Sequence, residues 1–400
     1  MSRPAALLIG DYRQTLTVAR ALAAHGMRVV LGQVTGRRSQ TRHSRHVAET
    51  WAHPPIGDGF LEPFLAALER YRPAVVFPVG DVEISWLAGH RDRLPDLAVA
   101  AADPSITAEC QDKTALMHRA AALGIPHAPF RLVANGTELA AAAEWVGLPC
   151  FVKPHDPLLR IFGAKGIRID TLSELQQSFA EWPAGHERLI VQRYDHGPRH
   201  NVYFAANRGE LIGAVEVSIL RTDRLDGTGL AVDGEAVPAT PGLSEDTALL
   251  VRDLDYTGVG CTQFLVAADG SRSFLELNPR LGANYVVAHA AGLDLASIAV
   301  DLAMGRDVAA PRLRTGIRYA WTLGDLEGLK DAVRRKEVTA SGVTRWLGAM
   351  IRTAWHADVH VTWRLSDPIP SLVMACRSLL GPVVRRLAPG NLRRRLRPSG

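Results

Sequence analysis

A carboxylate, an amide and a guanidinium recur at every second position of "FLELNPRLG", as Glu276, Asn278 and Arg280. Successive side chains of a strand point to opposite faces, so the three share one face and Leu275 and Leu277 take the other. Taken alone, this is also the pattern of a half-solvated strand edge. The upstream stretch "CTQFLVAADGSRS" supplies a second strand-type run, and Asp269-Gly270 between the runs marks a hairpin. With that dipeptide at the turn centre, Gln263 faces Glu276 with Cβ atoms about 5 Å apart. Hard oxygen donors grouped in this way suit Mg²⁺, which accepts one or two protein carboxylates and completes its shell with phosphate and water. A single carboxylate implies that phosphate brings the remaining negative charge. Arg280 could then contact a phosphoryl oxygen bidentately as charge moves during transfer.

Phosphate needs compact positive charge, and lysine is scarce here: only Lys113, Lys153, Lys165, Lys330 and Lys336 stand among 46 basic residues. A lysine kept against an arginine background draws attention as a flexible point charge, although genome composition explains the arginine excess equally well. Lys153 ends the short buried-type run "LPCFVKP". Lys165 lies between Gly163 and Gly166 in "HDPLLRIFGAKGIRI", a loop suited to bringing backbone N–H groups to an anion.

The elements that must position these groups follow in order. "AALLIG", an alanine-rich helix over 15–25 and "MRVVLG" read as strand, helix, strand, the start of a parallel α/β sheet. A helix over 60–71, the strand "AVVFPVGD" and the short strand "LAVAAAD" continue it. Ligands of open α/β sheets sit beyond the carboxyl ends of strands, which points to Asp11, Asp81 and Glu83; turn or helix-capping roles explain the same acids. No G-x-G-x-x-G follows the first strand, so a dinucleotide site is not expected. From Asp112 onward come a helix stopped by Gly124, a helix over 134–145, the strand of Lys153, "RLIVQRY", and two strands joined at Arg208-Gly209. A polar loop over 221–238 follows, and beyond 312 the periodicity weakens while tryptophan, arginine and proline increase.

Composition narrows the classes. With 47% hydrophobic and 22% charged residues over 400 positions, the chain can bury two or three cores. No apolar window approaches the roughly 18 residues of a membrane span, and the N-terminal stretch runs directly into a strand, so a cytoplasmic protein is expected. Cys110, Cys150, Cys261 and Cys376 lie far apart, which argues for reduced thiols and against a disulfide framework or zinc site. The last 25 residues carry seven arginines and no acid, and Leu372, Cys376, Leu379, Val383 and Leu387 have helical spacing. Docking of this basic helix on the protein's own body is the first expectation and peripheral contact with an anionic membrane the second. Nucleic acid is not expected, because no aromatic and basic residues interleave.

The order Lys113, "FVKP", the glycine loop, "VQRY", "TQF" and "FLELNPR" resembles the ATP-grasp superfamily over about residues 1–310. Gln263, Glu276 and Asn278 are most similar to the carbamoyl phosphate synthetase large chain, and "VQRYDHGPRH" is similar to the biotin carboxylase hinge. The resemblance implies an α/β plus α+β architecture: a Rossmann-like pre-ATP-grasp domain over 1–107, a two-subdomain ATP-grasp fold over 108–190 and 191–311, and a basic extension over 312–400. It implies that Lys113 and Lys153 touch phosphates, that the loop with Gly163, Lys165 and Gly166 covers them, and that Gln192, Arg193 and Tyr194 form the adenine-side hinge. Metal, Mg²⁺ with Mn²⁺ as its replacement, would be held by Glu276, Asn278 and Gln263. Many relatives carry an acid where Arg193 stands and a carboxylate where Gln263 stands.

The reaction implied is transfer of the ATP γ-phosphoryl group to a carboxylate, followed by attack of an amine, with Arg280 and Lys153 as the catalytic groups. Arg221 and Arg224 are candidates for the acceptor carboxylate, and Asp81 for the incoming ammonium. An ADP-forming carboxylate-amine ligase is therefore the leading expectation, and a homo-oligomer is compatible with it. The alternatives are a bicarbonate-phosphorylating enzyme like carbamoyl phosphate synthetase and a nucleotide-binding regulatory or membrane-surface protein with little turnover.

Overall fold

The computed structural model describes residues 3–156 and 159–387, with side chains through 378. The arginine-rich stretch over 388–400, on which the basic-tail expectation rests, lies outside the described residues, as do Pro157 and Leu158 of the glycine loop.

The first sheet is parallel, with β1 (Ala5–Ile9) paired to β2 (Arg28–Val34) and β4 (Val75–Pro78), and β3 (Val47–His53) on the outer side of β2. Continuous apolar text in β1 follows from burial on both faces, where Leu7, Leu8 and Ile9 are fully enclosed. "LAVAAAD" forms only a single bridge, Val99 beside Val76, rather than a further strand.

A second sheet, antiparallel, holds β5 (Phe130–Val133), β6 (Cys150–Pro154), β7 (Ile167–Ile169) and β8 (Leu189–Arg193) in the order β5-β8-β6-β7. Helix Gly136–Val146 packs behind it, started by Asn135, whose side chain accepts the Glu138 N–H. The third sheet is the largest. It contains β9 (Arg199–Asn207), β10 (Glu210–Thr222), β11 (Ala231–Ala236), β12 (Gly258–Val266), β13 (Arg272–Asn278), β14 (Arg318–Ala320) and β15 (Val359–His360), in the order β13-β12-β9-β10-β11-β14-β15.

Residue 107 falls inside helix Pro104–Gln111, and Asp112, with its extended backbone and capping carboxylate, starts helix Lys113–Ala122. Residue 190 falls inside β8. The stretch beyond 312 is no appendage, because β14 and β15 extend the large sheet and helices Thr322–Arg334 and Ala340–His356 cover its end. Asp325 fixes this join: it is buried, pairs with Arg221 and accepts the Trp346 indole N–H at 2.6 Å. Helix Ile369–Leu387 returns to the first domain, where Arg377 reaches the Ser39 carbonyl, and Lys330 donates to the Ser378 hydroxyl. Among the described residues no helix is long and apolar enough to cross a membrane.

Candidate functional site

The β12–β13 hairpin pairs Gln263 with Glu276 and Cys261 with Asn278. The turn reaches this register by another route than an Asp269-Gly270 centre. Gly270 is left-handed at φ 83°, its N–H bonds the Ala267 carbonyl, and Ala267 pairs with Ser271, which centres the turn on Asp269. A bulge between the Gln263 and Phe264 pairs inserts Leu275 and restores the pairing. Leu275 therefore lines the cleft beside Glu276 instead of joining Leu277 in the core.

One wall of the cleft is built by lysines. Lys113 stands at the start of its helix and donates to the Pro154 carbonyl at 3.3 Å. Lys153, on β6, donates to Gln192 Oε1 on β8 at 2.9 Å. Lys165 reaches the same cavity from a tight turn in which Phe162 and Gly163 both take positive φ and Ile161 pairs with Ala164. Gly166 then lies flat on the wall, since a Cβ there would come within 2.4 Å of the Phe151 ring and 2.9 Å of Lys153 Cβ. Burial and the neighbouring Lys113 lower Lys153 to about 8, against the pull of Glu276. Burial also lowers Lys113. Burial alone would raise Glu276, but Lys165, the Asn278 amide, Lys113 and Lys153 together hold it below the usual carboxylate range. Asn278 Nδ2 donates to Glu276 Oε1 at 2.9 Å.

These groups share a cavity of about 490 Å³ lined by Lys113, Lys153, Lys165, Gln192, Gln263 and Glu276. Arg193 and Tyr194 also border it; Arg193 is exposed and bonded to Asp195 at 2.7 Å, and Arg168 sits 4.6 Å over the Tyr194 ring. A smaller cavity of about 70 Å³ meets the first at Glu276 and adds Asp81, Asn278 and Arg280.

Several expected substrate contacts are already engaged. Arg280 is clamped by Asp81 through bonds of 2.5 and 2.8 Å, so Asp81 holds a guanidinium rather than standing open to an ammonium. Glu83 accepts the Tyr12 hydroxyl at 2.9 Å, and Asp11 accepts Thr41 at 2.6 Å. Arg221 borders the cleft but its guanidinium is bound to Asp325. Arg224 is exposed on the 223–230 loop and is not among the cavity-lining residues.

Other residues at the site were not singled out from sequence. Asn201 on β9 pairs with Gln263, so its amide extends the row that begins at Glu276, and its Oδ1 is buried without a partner. Arg199 pairs with Leu265 and lines the cavity. Arg13, entering from the first domain, stacks 3.7 Å over the Trp321 ring. The period-two position of Asn201 and Arg199 in β9 was the available signal; it required the β9–β12 register to interpret.

Residues 239–310 match the family model "Carbamoyl-phosphate synthase L chain, ATP binding domain". The structure superposes on biotin carboxylase from Campylobacter jejuni, solved as a β-γ-ATP complex, with a TM-score of 0.64 at 15% identity, over 78% of this chain and 74% of that one. The chain has the ATP-grasp fold. A parallel-sheet pre-ATP-grasp domain precedes the ATP-grasp subdomains, as in biotin carboxylase. A second solved structure, the biotin carboxylase domain dimer of Hydrogenobacter thermophilus 2-oxoglutarate carboxylase in complex with MgADP, ADP and bicarbonate, gives a TM-score of 0.62 at 14% identity over 80% of this chain and 74% of that one. Among curated proteins, acetyl-CoA carboxylase of Dictyostelium discoideum is 28% identical over 46% of this chain. The alpha3 subunit of a biotin-dependent acyl-coenzyme A carboxylase of Mycobacterium leprae is 26% identical over 61% of it. The matched stretches span 8% and 38% of those relatives' own lengths.

Proposed function

We propose that the chain uses Mg²⁺-ATP to phosphorylate a carboxylate-class oxyanion and that an amine then attacks the acyl phosphate, leaving ADP as the nucleotide product. The observation that carries this reading is the convergence of Lys113, Lys153 and Lys165 with Glu276 and Gln263 on one cavity. The donor set fits Mg²⁺: one carboxylate and two amides are hard oxygen ligands, and phosphate oxygens would complete the shell. Among the described residues no three His, Cys, Asp or Glu side chains form a metal cage, which favours binding of the cation together with nucleotide. Glu276, Gln263 and Asn278 would hold the ion, which when bound neutralises charge on the transferring group. Lys153, supported by Gln192, and Lys113 would orient the phosphates. Arg280, fixed by Asp81, offers a preset guanidinium to charge that develops at the acceptor. No protein nucleophile is needed in such a transfer.

A second reading, with bicarbonate as the acceptor, is favoured by the relatives, which include an acetyl-CoA carboxylase, a subunit of a biotin-dependent acyl-coenzyme A carboxylase and a biotin carboxylase domain in complex with bicarbonate. One experiment separates the two. ADP release is measured with organic acids, with bicarbonate and with each plus an amine panel. Stimulation by an organic acid, dependent on Mg²⁺ and abolished by Glu276→Ala or Lys153→Ala, supports the first reading. Stimulation by bicarbonate alone supports the second, and AMP with pyrophosphate overturns both. Nucleotide binding with no turnover across the panel would favour a binding-only protein.

A further inference from the structure

Around Arg199, which lines the cleft, three buried polar atoms have no hydrogen-bond partner: Arg13 Nη1, Arg199 Nε and Asn201 Oδ1. Buried donors and acceptors are nearly always satisfied, so such a group of orphans marks a place where a ligand completes the set. Two of the three belong to guanidinium groups. Among the described residues neither Arg13 nor Arg199 forms an ion pair, unlike Arg280 and Arg221 nearby. The charge of Asp223 bears on Arg13, but its Oδ1 is held by the Leu230 N–H at 2.7 Å. Arg13 also senses the positive charge of Arg199. Two half-buried like charges near one another, each with an enclosed and unsatisfied N–H and neither ion-paired among the described residues, form an anion receptor.

Their setting specifies which anion. Asn201 stands one strand from Gln263 in the row that ends at Glu276, Arg199 lines the same cavity as the lysines, and Arg13 is near enough to feel the charge of Arg199. Tyr319 borders both arginines and accepts the Asn284 amide at 2.6 Å. Burial pushes its phenol far up, so it stays neutral and does not neutralise them. The planar fork of a guanidinium matches a carboxylate through two parallel bonds. The lysine wall offers point charges suited to the phosphates, and the arginine wall is left for a planar acid.

We propose that Arg13 and Arg199 form a carboxylate-binding subsite that presents the acceptor acid to the nucleotide cleft. The assignment rests on the acyl-phosphate reading above, and it adds a binding group supplied by the first domain. Its source, an organic acid or bicarbonate, follows from the probes used.

Arg13 stacks on Trp321, whose emission therefore reports on the subsite. The full chain is titrated without nucleotide against acetate, succinate, bicarbonate and inorganic phosphate. At least one carboxylate or bicarbonate is expected to change tryptophan fluorescence saturably, and Trp321→Phe is expected to remove the change. Arg13→Gln and Arg199→Gln should each raise the dissociation constant about ten-fold or more, the size expected for one charge-assisted contact. Isothermal titration of each variant with Mg²⁺-ATP checks folding, and Arg199→Lys supplies a milder change that should weaken the acid less than Arg199→Gln does. Response to acetate or succinate identifies an organic acid, and response to bicarbonate alone identifies the smaller acceptor. The proposal is overturned if no carboxylate probe binds, if phosphate binds more tightly than all of them, or if the glutamine variants bind as wild type does. If acids bind but ADP release never depends on them, the acyl-phosphate reading fails and the subsite stands. If carboxylate-dependent ADP release keeps its wild-type KM in both variants, the subsite fails and the reading stands.

Discussion

On one wall of the cleft, Lys113 and Lys153 each hold a defined oxygen partner, and their charges converge with that of Lys165 on Glu276. Arg13 and Arg199, by contrast, are half-buried with enclosed, unsatisfied N–H groups and no ion pair among the described residues. The lysine wall sets three ammonium groups against the one carboxylate of Glu276, an excess suited to a multiply charged anion that displaces weak contacts. The arginine wall carries an uncompensated charge, which a protein retains where a ligand anion compensates it. Preorganised charge on both sides of a transfer lets each substrate be positioned independently.

The largest effect should come where the walls meet. Glu276→Gln keeps the side-chain volume but removes the shared carboxylate, and ADP formation should fall about 10³-fold or more, the scale of losing a key electrostatic group. A loss of less than ten-fold would show that the two walls do not work through Glu276. A crossed pair of variants comes next. Lys153→Gln should raise the KM for ATP by about 10- to 100-fold while the carboxylate titration stays within about two-fold. Arg13→Gln should do the reverse, and equal effects on both ligands would erase the distinction between the walls.

Proton linkage sharpens the same contrast. Lys153 titrates at about 8 in the free protein because burial disfavours its charged form. Phosphate favours the charged form and raises that value, so ATP binding should take up a proton above pH 8, and affinity should decline as pH rises further. Calorimetry in two buffers of different ionisation enthalpy reads the uptake, which Lys153→Gln should abolish. The smallest effect is expected from Gly166→Ala. Its Cβ would press on Phe151 and Lys153, shift the loop and raise the KM for ATP a few-fold, and an unchanged KM would show that the loop does not close on the nucleotide.

The lysine wall was legible in the sequence because lysine is rare in it and because Asp269-Gly270 announces a hairpin that brings Gln263 to Glu276. The pairing was right although the turn centre was not, since the Leu275 bulge compensates a one-residue shift that periodicity cannot display. The arginine wall was hidden for the opposite reason. Arginine supplies all but five of the 46 basic residues, so Arg13 and Arg199 carried no local contrast. The contacts that distinguish Arg280 and Arg221 join residues 199 and 104 positions apart. The parallel sheet and the central strands could be read from their apolar runs, whereas β14 and β15, three and two residues long, are too short to show a period.

The central claim is an acyl phosphate made from ATP on a carboxylate held opposite the lysines. It is tested most directly by incubating the protein with Mg²⁺, ATP, hydroxylamine and the acid that binds best in the fluorescence titration. ADP and the corresponding hydroxamate are expected in equal amounts, both lost in Glu276→Gln. AMP and pyrophosphate, or ADP without any trapped acid, would contradict it.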